Sequence, residues 1–130
     1  MGKYWKGAHT KHRLIAHLVW IPKYRKRILK GQLAERIEEL IRDCIEVNGW
    51  AVEELNVQSD HVHLVLQFPP TIALCKIFNL IKGKSSRIIM QEFPELKEKF
   101  WGGSFWADGY FCSTVGDIDI KAVKEYVRNQ

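Results

Sequence analysis

The chain has 130 residues, enough for one domain with a real hydrophobic core but too few for two. Hydrophobic residues make up 46% of it and charged residues 27%, a balance typical of folded globular proteins that excludes intrinsic disorder. Lys and Arg number 20 against 15 Asp and Glu, and the resulting net charge of +5 favours a polyanionic partner such as nucleic acid.

The cysteines and the apolar runs exclude several further classes of protein. Cys44, Cys75 and Cys112 are far apart and form no C-x-x-C pair, which argues against zinc-ribbon and thioredoxin-like sites. No apolar run is long enough to cross a bilayer, and the first residues lack the apolar core of a signal peptide. We therefore expect a cytoplasmic protein without a membrane partner, in which the cysteines pack as small hydrophobic residues.

The first half of the chain predicts an arm, a strand and a helix. Residues 1–11 are basic and contain glycine, and we expect them to form a flexible arm. Residues 12–21 alternate two largely apolar faces, typical of a central strand, and we interpret His17 as a core histidine. A helix is predicted over residues 32–47, ended by Asn48-Gly49. Its apolar stripe consists of Leu33, Ile37, Leu40, Ile41, Cys44 and Ile45.

The second half predicts a hairpin, two helices and a last strand. Strands over residues 50–58 and 61–68 are joined by Ser59-Asp60, a link that suits a hairpin. A second helix should begin at residues 69–71, break at 83–87 and resume over 88–93, before an irregular segment over 94–108. A strand over 110–115 precedes a final helix from residue 118 to the C-terminus, with Asp117 as its N-cap and Ile120, Val123 and Val127 as its core stripe.

This order, β-α-β-β-α-β-α, predicts an α+β fold. Its first six elements match the ferredoxin-like arrangement, also seen in RNA-recognition modules, in which a four-stranded antiparallel sheet carries two helices. The seventh element is an additional C-terminal helix. The fold serves many functions and identifies none of them.

Two histidines on the predicted hairpin are candidate metal ligands. His61 and His63 alternate with Val62 and Leu64, so both imidazoles lie on one face with Cα atoms about 6.5–7 Å apart. Neutral imidazole is a common ligand of divalent cations. Two ligands do not make a site, however, so two partly exposed strand histidines without a function are the alternative interpretation.

The final helix offers a nucleophile and a further ligand. Tyr126 and Gln130 are four residues apart and are therefore expected on one helix face. A phenol attacks phosphorus only when deprotonated, and a metal ion on the phosphate would assist that attack. Gln130 would add a neutral oxygen ligand. The alternative for Tyr126 is an amphipathic residue at the edge of the core.

Cationic and aromatic residues suggest a nucleic-acid surface. Two groups are candidates for binding phosphates, with a solvated break in a helix as the alternative for the second group. They are Arg13, Lys23, Tyr24, Arg25 and Arg27, and then Lys82, Lys84, Ser85, Ser86 and Arg87. Trp101, Phe105 and Trp106 are candidates for stacking on unpaired bases, although packing is the better interpretation for at least two of them.

Several of these motifs together resemble one known family. The motifs are His17-Leu18-Val19-Trp20, Lys23-Tyr24-Arg25, Asp60-His61-Val62-His63-Leu64, Lys82-Gly83-Lys84-Ser85-Ser86, Trp101-Gly102-Gly103 and Tyr126-Val127-Arg128-Asn129-Gln130. Over residues 12–130 the chain is similar to the small single-tyrosine HUH (His-hydrophobe-His) transposases of bacterial and archaeal insertion sequences, a TnpA-like family.

The resemblance implies a complete function. His61, His63 and Gln130 would bind a magnesium or manganese ion, and Tyr126 would attack a phosphodiester of single-stranded DNA to form a 5′-phosphotyrosine link. The freed 3′-OH would later rejoin strands. Family members recognise DNA hairpins near the element ends and act as homodimers, pairing the histidine strand of one subunit with the tyrosine helix of the other.

Two other functions are compatible with the same residues. A non-catalytic single-stranded nucleic-acid-binding module would share the β-α-β-β-α-β order, although such modules carry aromatic residues on the central strands, where this chain has His61 and His63. An HUH-type nuclease that releases its product by hydrolysis would use Tyr126 only structurally. A covalent protein–DNA adduct distinguishes the transposase from both.

Overall fold

A computed structural model of the chain describes residues 5–6, 11–12, 14–98, 104–116 and 119–130. Arg13, Trp101 and Asp117, which were given roles above, lie outside these residues.

The described residues form one four-stranded antiparallel sheet with three α-helices, which confirms the predicted fold class. The sheet order is β2-β3-β1-β4, as in the ferredoxin-like arrangement. The elements are β1 (Leu14–Trp20), α1 (Gly31–Val47), β2 (Ala51–Val57), β3 (Val62–Phe68), α2 (Leu74–Glu92), β4 (Phe111–Thr114) and α3 (Ile120–Arg128).

Both faces of β3 are covered. Val62, Leu64 and Leu66 belong to the main core, which they share with α1 and α2. On the opposite face, Val65 packs with Ile15 of β1 and with α3. Because α3 covers this face, all seven residues of β3 are buried. The additional helix therefore lies on the face of the sheet that carries His63.

The first helix agrees closely with the prediction. All six apolar residues of its predicted stripe are buried against the sheet and α2. It ends where Asn48-Gly49 indicated, because the Asn48 N–H donates to the Cys44 carbonyl and Gly49 takes a positive φ of 79°.

The second helix differs from the prediction in two respects. It begins at Leu74 rather than at residues 69–71, and it continues without a break through residues 83–87. Ser85 and Ser86 looked like part of a solvated interruption, but both are buried. The Ser85 hydroxyl donates to the Ile81 carbonyl (2.6 Å) and accepts from Trp106 Nε1 (2.8 Å), and the Ser86 hydroxyl accepts from the Phe105 N–H (2.9 Å). These serines anchor the segment that leads to β4.

Several local expectations are corrected. Only Cys44 is buried, whereas Cys75 and Cys112 are exposed. Trp5–Lys6, part of the expected arm, pairs antiparallel with Lys11–His12. Pro94–Glu98 forms a short 3-10 helix in the segment expected to be irregular. None of the described helices combines the length and apolar character that crossing a bilayer requires.

The final helix is shorter than expected. It begins at Ile120, with Asp119 in the N-cap position, and ends at Arg128. Ile120 and Val127 are buried and Val123 packs against the same cluster, so the predicted core stripe is confirmed.

Ser85, one of the two buried serines of α2, gives a test of the fold. Replacing Ser85 with Ala should lower the free energy of unfolding by about 1–3 kcal/mol, because the buried Trp106 indole N–H loses its acceptor. Urea denaturation measures the change. Arg87→Ala, at an exposed position of the same helix, is the control and should stay within about 0.5 kcal/mol of the original protein. Equal losses in the two variants would contradict a packing role for Ser85.

Candidate active site

His61 and His63 lie side by side at the start of β3. His61 immediately precedes the strand and is partly exposed, whereas His63 is only 7% exposed. Their ring centroids are 4.7 Å apart and their planes are nearly perpendicular, at 83°. The predicted pair is therefore present, as the alternation of residues along a strand requires.

Asp60 fixes the orientation of His61. The Asp60 carboxylate lies 2.7 Å from His61 Nδ1, and it also accepts from Arg25 Nε at 3.1 Å. The hydrogen bond from His61, assisted by the charge of Arg25, lowers the pKa of Asp60 although burial opposes this. An ionised carboxylate can only accept, so His61 carries its proton on Nδ1 and Nε2 is the nitrogen that it offers to a ligand.

His17, interpreted above as a core histidine, is a partly buried member of this cluster. Its Nε2 lies 3.0 Å from His63 Nδ1, and the two rings are nearly parallel, at 16°. Burial lowers the pKa of His17. Burial, followed by the charges of His61 and His17, lowers the pKa of His63 to about 4. His63 is therefore neutral near pH 7, the form in which imidazole binds metal.

Tyr126 stands beside the histidines of its own chain. Its side chain is 55% exposed, and its ring centroid lies 6.1 Å from that of His63 and 6.4 Å from that of His17. Both contacts are edge-on, at 84° and 77°. The resemblance implied that the tyrosine helix joins the histidine strand of another subunit, whereas here the two elements of one chain are adjacent.

Apolar and polar contacts hold α3 in this place. Ile120 and Val127 pack on Ile15 and Val65. At the rim, Asn56 Nδ2 donates to the Val127 carbonyl at 2.7 Å, and Arg128 pairs with Glu54 at 2.9 Å. The apolar seam sets the height of the helix above the sheet, and the rim contacts set its position along β2.

A cleft opens beside the tyrosine. It encloses about 430 Å³ between β4 and α3, and its walls include His17, Ser113, Asp119 and Tyr126. The phenol is therefore accessible from solvent along the edge of the sheet.

Gln130 lies beyond the end of α3. It is exposed, and its backbone N–H donates to the Val127 carbonyl at 3.3 Å. Tyr126 and Gln130 were expected on one helix face, which requires a helix that continues to residue 130. The helix α3 ends at Arg128. The role of Gln130 as a ligand stays a prediction.

The donor set fits a divalent cation only in part. No group of three or more His, Cys, Asp and Glu side chains among the described residues could hold a metal ion. His61 and His63 are nevertheless adjacent, and each has its Nδ1 in a hydrogen bond. This pair suits a cation that takes its other ligands from amide, water and phosphate oxygens.

The first cationic group borders the histidine pair. Arg25 and Arg27 are largely exposed, yet both approach Asp60, at 3.1 Å and 4.0 Å. Tyr24 is also exposed, and Lys23 belongs to the same short 3-10 turn. Tyr24 and Arg25 have positive φ angles of 62° and 50°, which are rare for residues other than glycine and occur preferentially at functional sites.

The second group is divided between packing and solvent. Lys82 Nζ donates to the carbonyls of Ala107 (2.7 Å) and Gly109 (3.0 Å), and Ser85 and Ser86 are buried. Arg87 is exposed and, with Lys82 and Ser86, lines a cavity of about 650 Å³; Lys84, partly buried, belongs to the same stretch of α2.

The aromatic candidates serve mainly in packing. Phe105 and Trp106 are buried in the main core, which confirms the packing interpretation for these two.

Sequence reasoning missed the roles of Asp60 and His17. Asp60 was visible as an acid directly before the H-x-H pattern. His17 stands in one of the motifs that carry the resemblance, but nothing in the sequence pointed to its contact with His63, which joins residues 46 positions apart.

The lowered pKa of His63 predicts acid sensitivity. In the unfolded chain His63 takes up a proton near pH 6.5, whereas in the folded protein its pKa is about 4. The free energy of unfolding should therefore fall as the pH decreases from about 6.5 to 4, by up to roughly 3 kcal/mol from this residue. Urea denaturation at several pH values measures the slope, which should be shallower in His63→Gln. Equal slopes in both proteins would refute the prediction.

Comparison with known proteins identifies the family. The family model described as "Transposase IS200 like" matches residues 10–130. The ISDra2 transposase TnpA of Deinococcus radiodurans is 35% identical over 125 residues, covering 96% of this chain and 89% of that protein. The transposase for insertion sequence element IS200 of Salmonella typhimurium is 31% identical over 123 residues, covering 95% and 80%.

Solved structures agree. A protein from Deinococcus radiodurans R1 assigned as a transposase superposes with a TM-score of 0.80 at 32% identity, covering 97% of both chains. The REP-associated tyrosine transposase bound to a REP hairpin gives a TM-score of 0.64 at 14% identity, covering 95% of this chain and 68% of that one, a likeness of fold alone. Because the family model matches residues 10–130 and relatives exceed 30% identity, this chain belongs to the IS200-like family of transposases.

Proposed function

We propose that this transposase cleaves and rejoins single-stranded DNA at the ends of an insertion sequence through a phosphotyrosine intermediate on Tyr126. The observation that carries the proposal is the position of Tyr126, half exposed on α3, with its ring in contact with His63 and His17. A nucleophile next to a candidate metal ligand, here His63, is an arrangement that suits metal-assisted phosphoryl transfer.

Each proposed step is a transesterification at phosphorus. The phenolate oxygen of Tyr126 attacks the phosphorus, the bond from phosphorus to the 3′ oxygen breaks, and that oxygen takes a proton to become a free 3′-OH. The DNA remains attached through its 5′ phosphate. In the return step a 3′-OH attacks the phosphotyrosine and releases the phenol. One phosphate ester is broken for each one formed, so strands are joined without an external source of energy.

The metal ion is part of the proposal. His61 and His63, with Gln130 as the predicted third ligand, would hold Mg²⁺ or Mn²⁺. The bound ion would supply Lewis-acid polarisation of the phosphate. The chain itself supports binding, because Asp60 orients His61 and burial keeps His63 neutral near pH 7.

The cations around the site are proposed to position the DNA. The first cationic group, Lys23, Tyr24, Arg25 and Arg27 together with Arg13, would bind phosphates next to the histidines. The second predicted phosphate surface consists of Lys82, Lys84, Ser85, Ser86 and Arg87. Of its three cations, Arg87 is the most exposed. The hairpin bound by the REP-associated transposase, which shares the fold, supports hairpin DNA as the ligand. Phosphate contacts fix the register of the DNA without reading its sequence.

We also propose that the protein acts as a homodimer with shared active sites. The family resemblance suggests that α3 exchanges between subunits. The small buried seam of α3, formed with Ile15 and Val65, is compatible with such an exchange because identical contacts would form in the partner.

A covalent adduct tests the nucleophile. Incubation with Mg²⁺ and single-stranded DNA carrying an element-end hairpin should give a protein–DNA species that survives denaturing electrophoresis. Tyr126→Phe should reduce its amount by at least ~10³-fold, because the attacking oxygen is lost. Tyr110→Phe is the matched control, since Tyr110 is also exposed and its ring would still stack on Phe78.

Metal dependence is measured in the same assay. EDTA or His61→Ala should abolish the adduct. An adduct as abundant in Tyr126→Phe as in the original protein would refute the nucleophile assignment, and cleavage without an adduct would favour the hydrolytic nuclease. DNA binding without any cleavage would favour the non-catalytic module.

Mixed dimers test the sharing of sites. Tyr126→Phe and His61→Ala chains should each be inactive, and their mixture should regain about a quarter of the original activity if subunits exchange at random and each site combines two chains. Differently tagged chains recovered together would demonstrate that mixed dimers formed. No recovery in such dimers would mean that each chain carries a self-contained site.

A further inference from the structure

We propose that His17 is a positioning residue of this site: it fixes the tautomer and the ring plane of His63, so that His63 presents Nε2 to a divalent cation. The inference rests on the proposed function, in which His61 and His63 bind the metal. It adds a third histidine, which the H-x-H pattern does not contain.

The pairing of β1 with β3 places His17 next to His63. In the register of the sheet, His63 lies opposite Val19 and His17 lies opposite Val65, so the two histidines are diagonal neighbours on one face. Their facing nitrogens are 3.0 Å apart, and their planes differ by only 16°. The rings are nearly parallel and their centroids are 5.3 Å apart, so the two facing nitrogens lie between the centroids and a proton on one can point at the lone pair of the other.

The proton between His17 Nε2 and His63 Nδ1 can belong to either ring, and its location decides whether Nε2 of His63 is free to bind a metal ion. A neutral imidazole carries one N–H. If His17 Nε2 donated to His63 Nδ1, the proton of His63 would lie on Nε2 and block a metal ion there. If His63 Nδ1 donates to His17 Nε2, the Nε2 lone pair of His63 is available. Metal binding through Nε2 therefore requires His17 to accept.

The neighbouring ligand shows the same pattern. His61 also has its Nδ1 in a hydrogen bond, to the Asp60 carboxylate at 2.7 Å. Each proposed ligand thus has a partner on Nδ1, a carboxylate in one case and an imidazole in the other. Such partners set the tautomer and raise the basicity of metal-binding histidines.

His17 is itself held rigidly enough for this role. It lies within β1, between Val65 of β3 and Ser113 of β4. Its ring contacts the edges of Phe111 (6.1 Å) and Tyr126 (6.4 Å). A residue on a central strand positions a neighbour more accurately than one on a loop.

Mn²⁺ binding to the full-length, metal-free protein, measured by calorimetry near neutral pH, tests the proposal independently of activity. His17→Leu should weaken Mn²⁺ binding by about 10–100-fold, because His63 loses its acceptor. His17→Gln should bind within about threefold of the original protein, since an amide oxygen can accept from Nδ1–H. Ser113→Ala, next to His17 on β4, is the control and should bind unchanged.

Each outcome decides between the possibilities. If His17→Leu bound Mn²⁺ as tightly as the original protein, the role of His17 would be overturned while the metal site would stand. The same would follow if His17→Gln bound Mn²⁺ as weakly as a folded His17→Leu variant. An original protein that binds no Mn²⁺, or a His61→Ala variant that binds as well as the original, would overturn the proposed metal site and the inference with it.

A measurement on the unsubstituted protein removes the dependence on the variants. In ¹H–¹⁵N spectra of the Mg²⁺-saturated protein, His63 and His17 should both carry their protons on Nδ1. A proton on Nε2 of His17 in that state would refute the role.

Discussion

The covering of β3 on both faces is the constraint on which the site depends. One face packs on α1 and α2 and supplies most of the core, and the other packs on α3. Because side chains alternate along a strand, the second face is the one that carries His63. The packing of α3 therefore performs two tasks, since burying Val65 and Ile15 also brings Tyr126 against the histidines.

Local patterns made much of this architecture predictable. The apolar stripe of α1 and the alternation around His63 follow from periodicities of 3.6 and 2 residues, which sequence displays directly. The partners of the histidines were not predictable in the same way. His17 reaches His63 only through the pairing of β1 with β3. That pairing follows from the fold class, but the ring orientations do not.

Polar residues of α2 produced one group of errors, for a physical reason. A buried serine and a solvated one look alike in sequence, so Ser85 and Ser86 suggested a break where α2 in fact continues. Lys82 likewise resembled a free cation but donates to two carbonyls near β4. Charge patterning indicates a polyanionic partner. Which cations already donate hydrogen bonds within the protein depends on the packing of the segment before β4, which the pattern does not show.

The left-handed backbone of Tyr24 and Arg25 has an evolutionary consequence. Each such conformation costs on the order of 1 kcal/mol for a residue with a Cβ, and glycine would relieve that cost at either position. Glycine would also remove an exposed aromatic ring or the guanidinium that pairs with Asp60. Selection for a more heat-resistant chain would thus act against this turn, whereas selection for the pairing of Arg25 with Asp60 would preserve it.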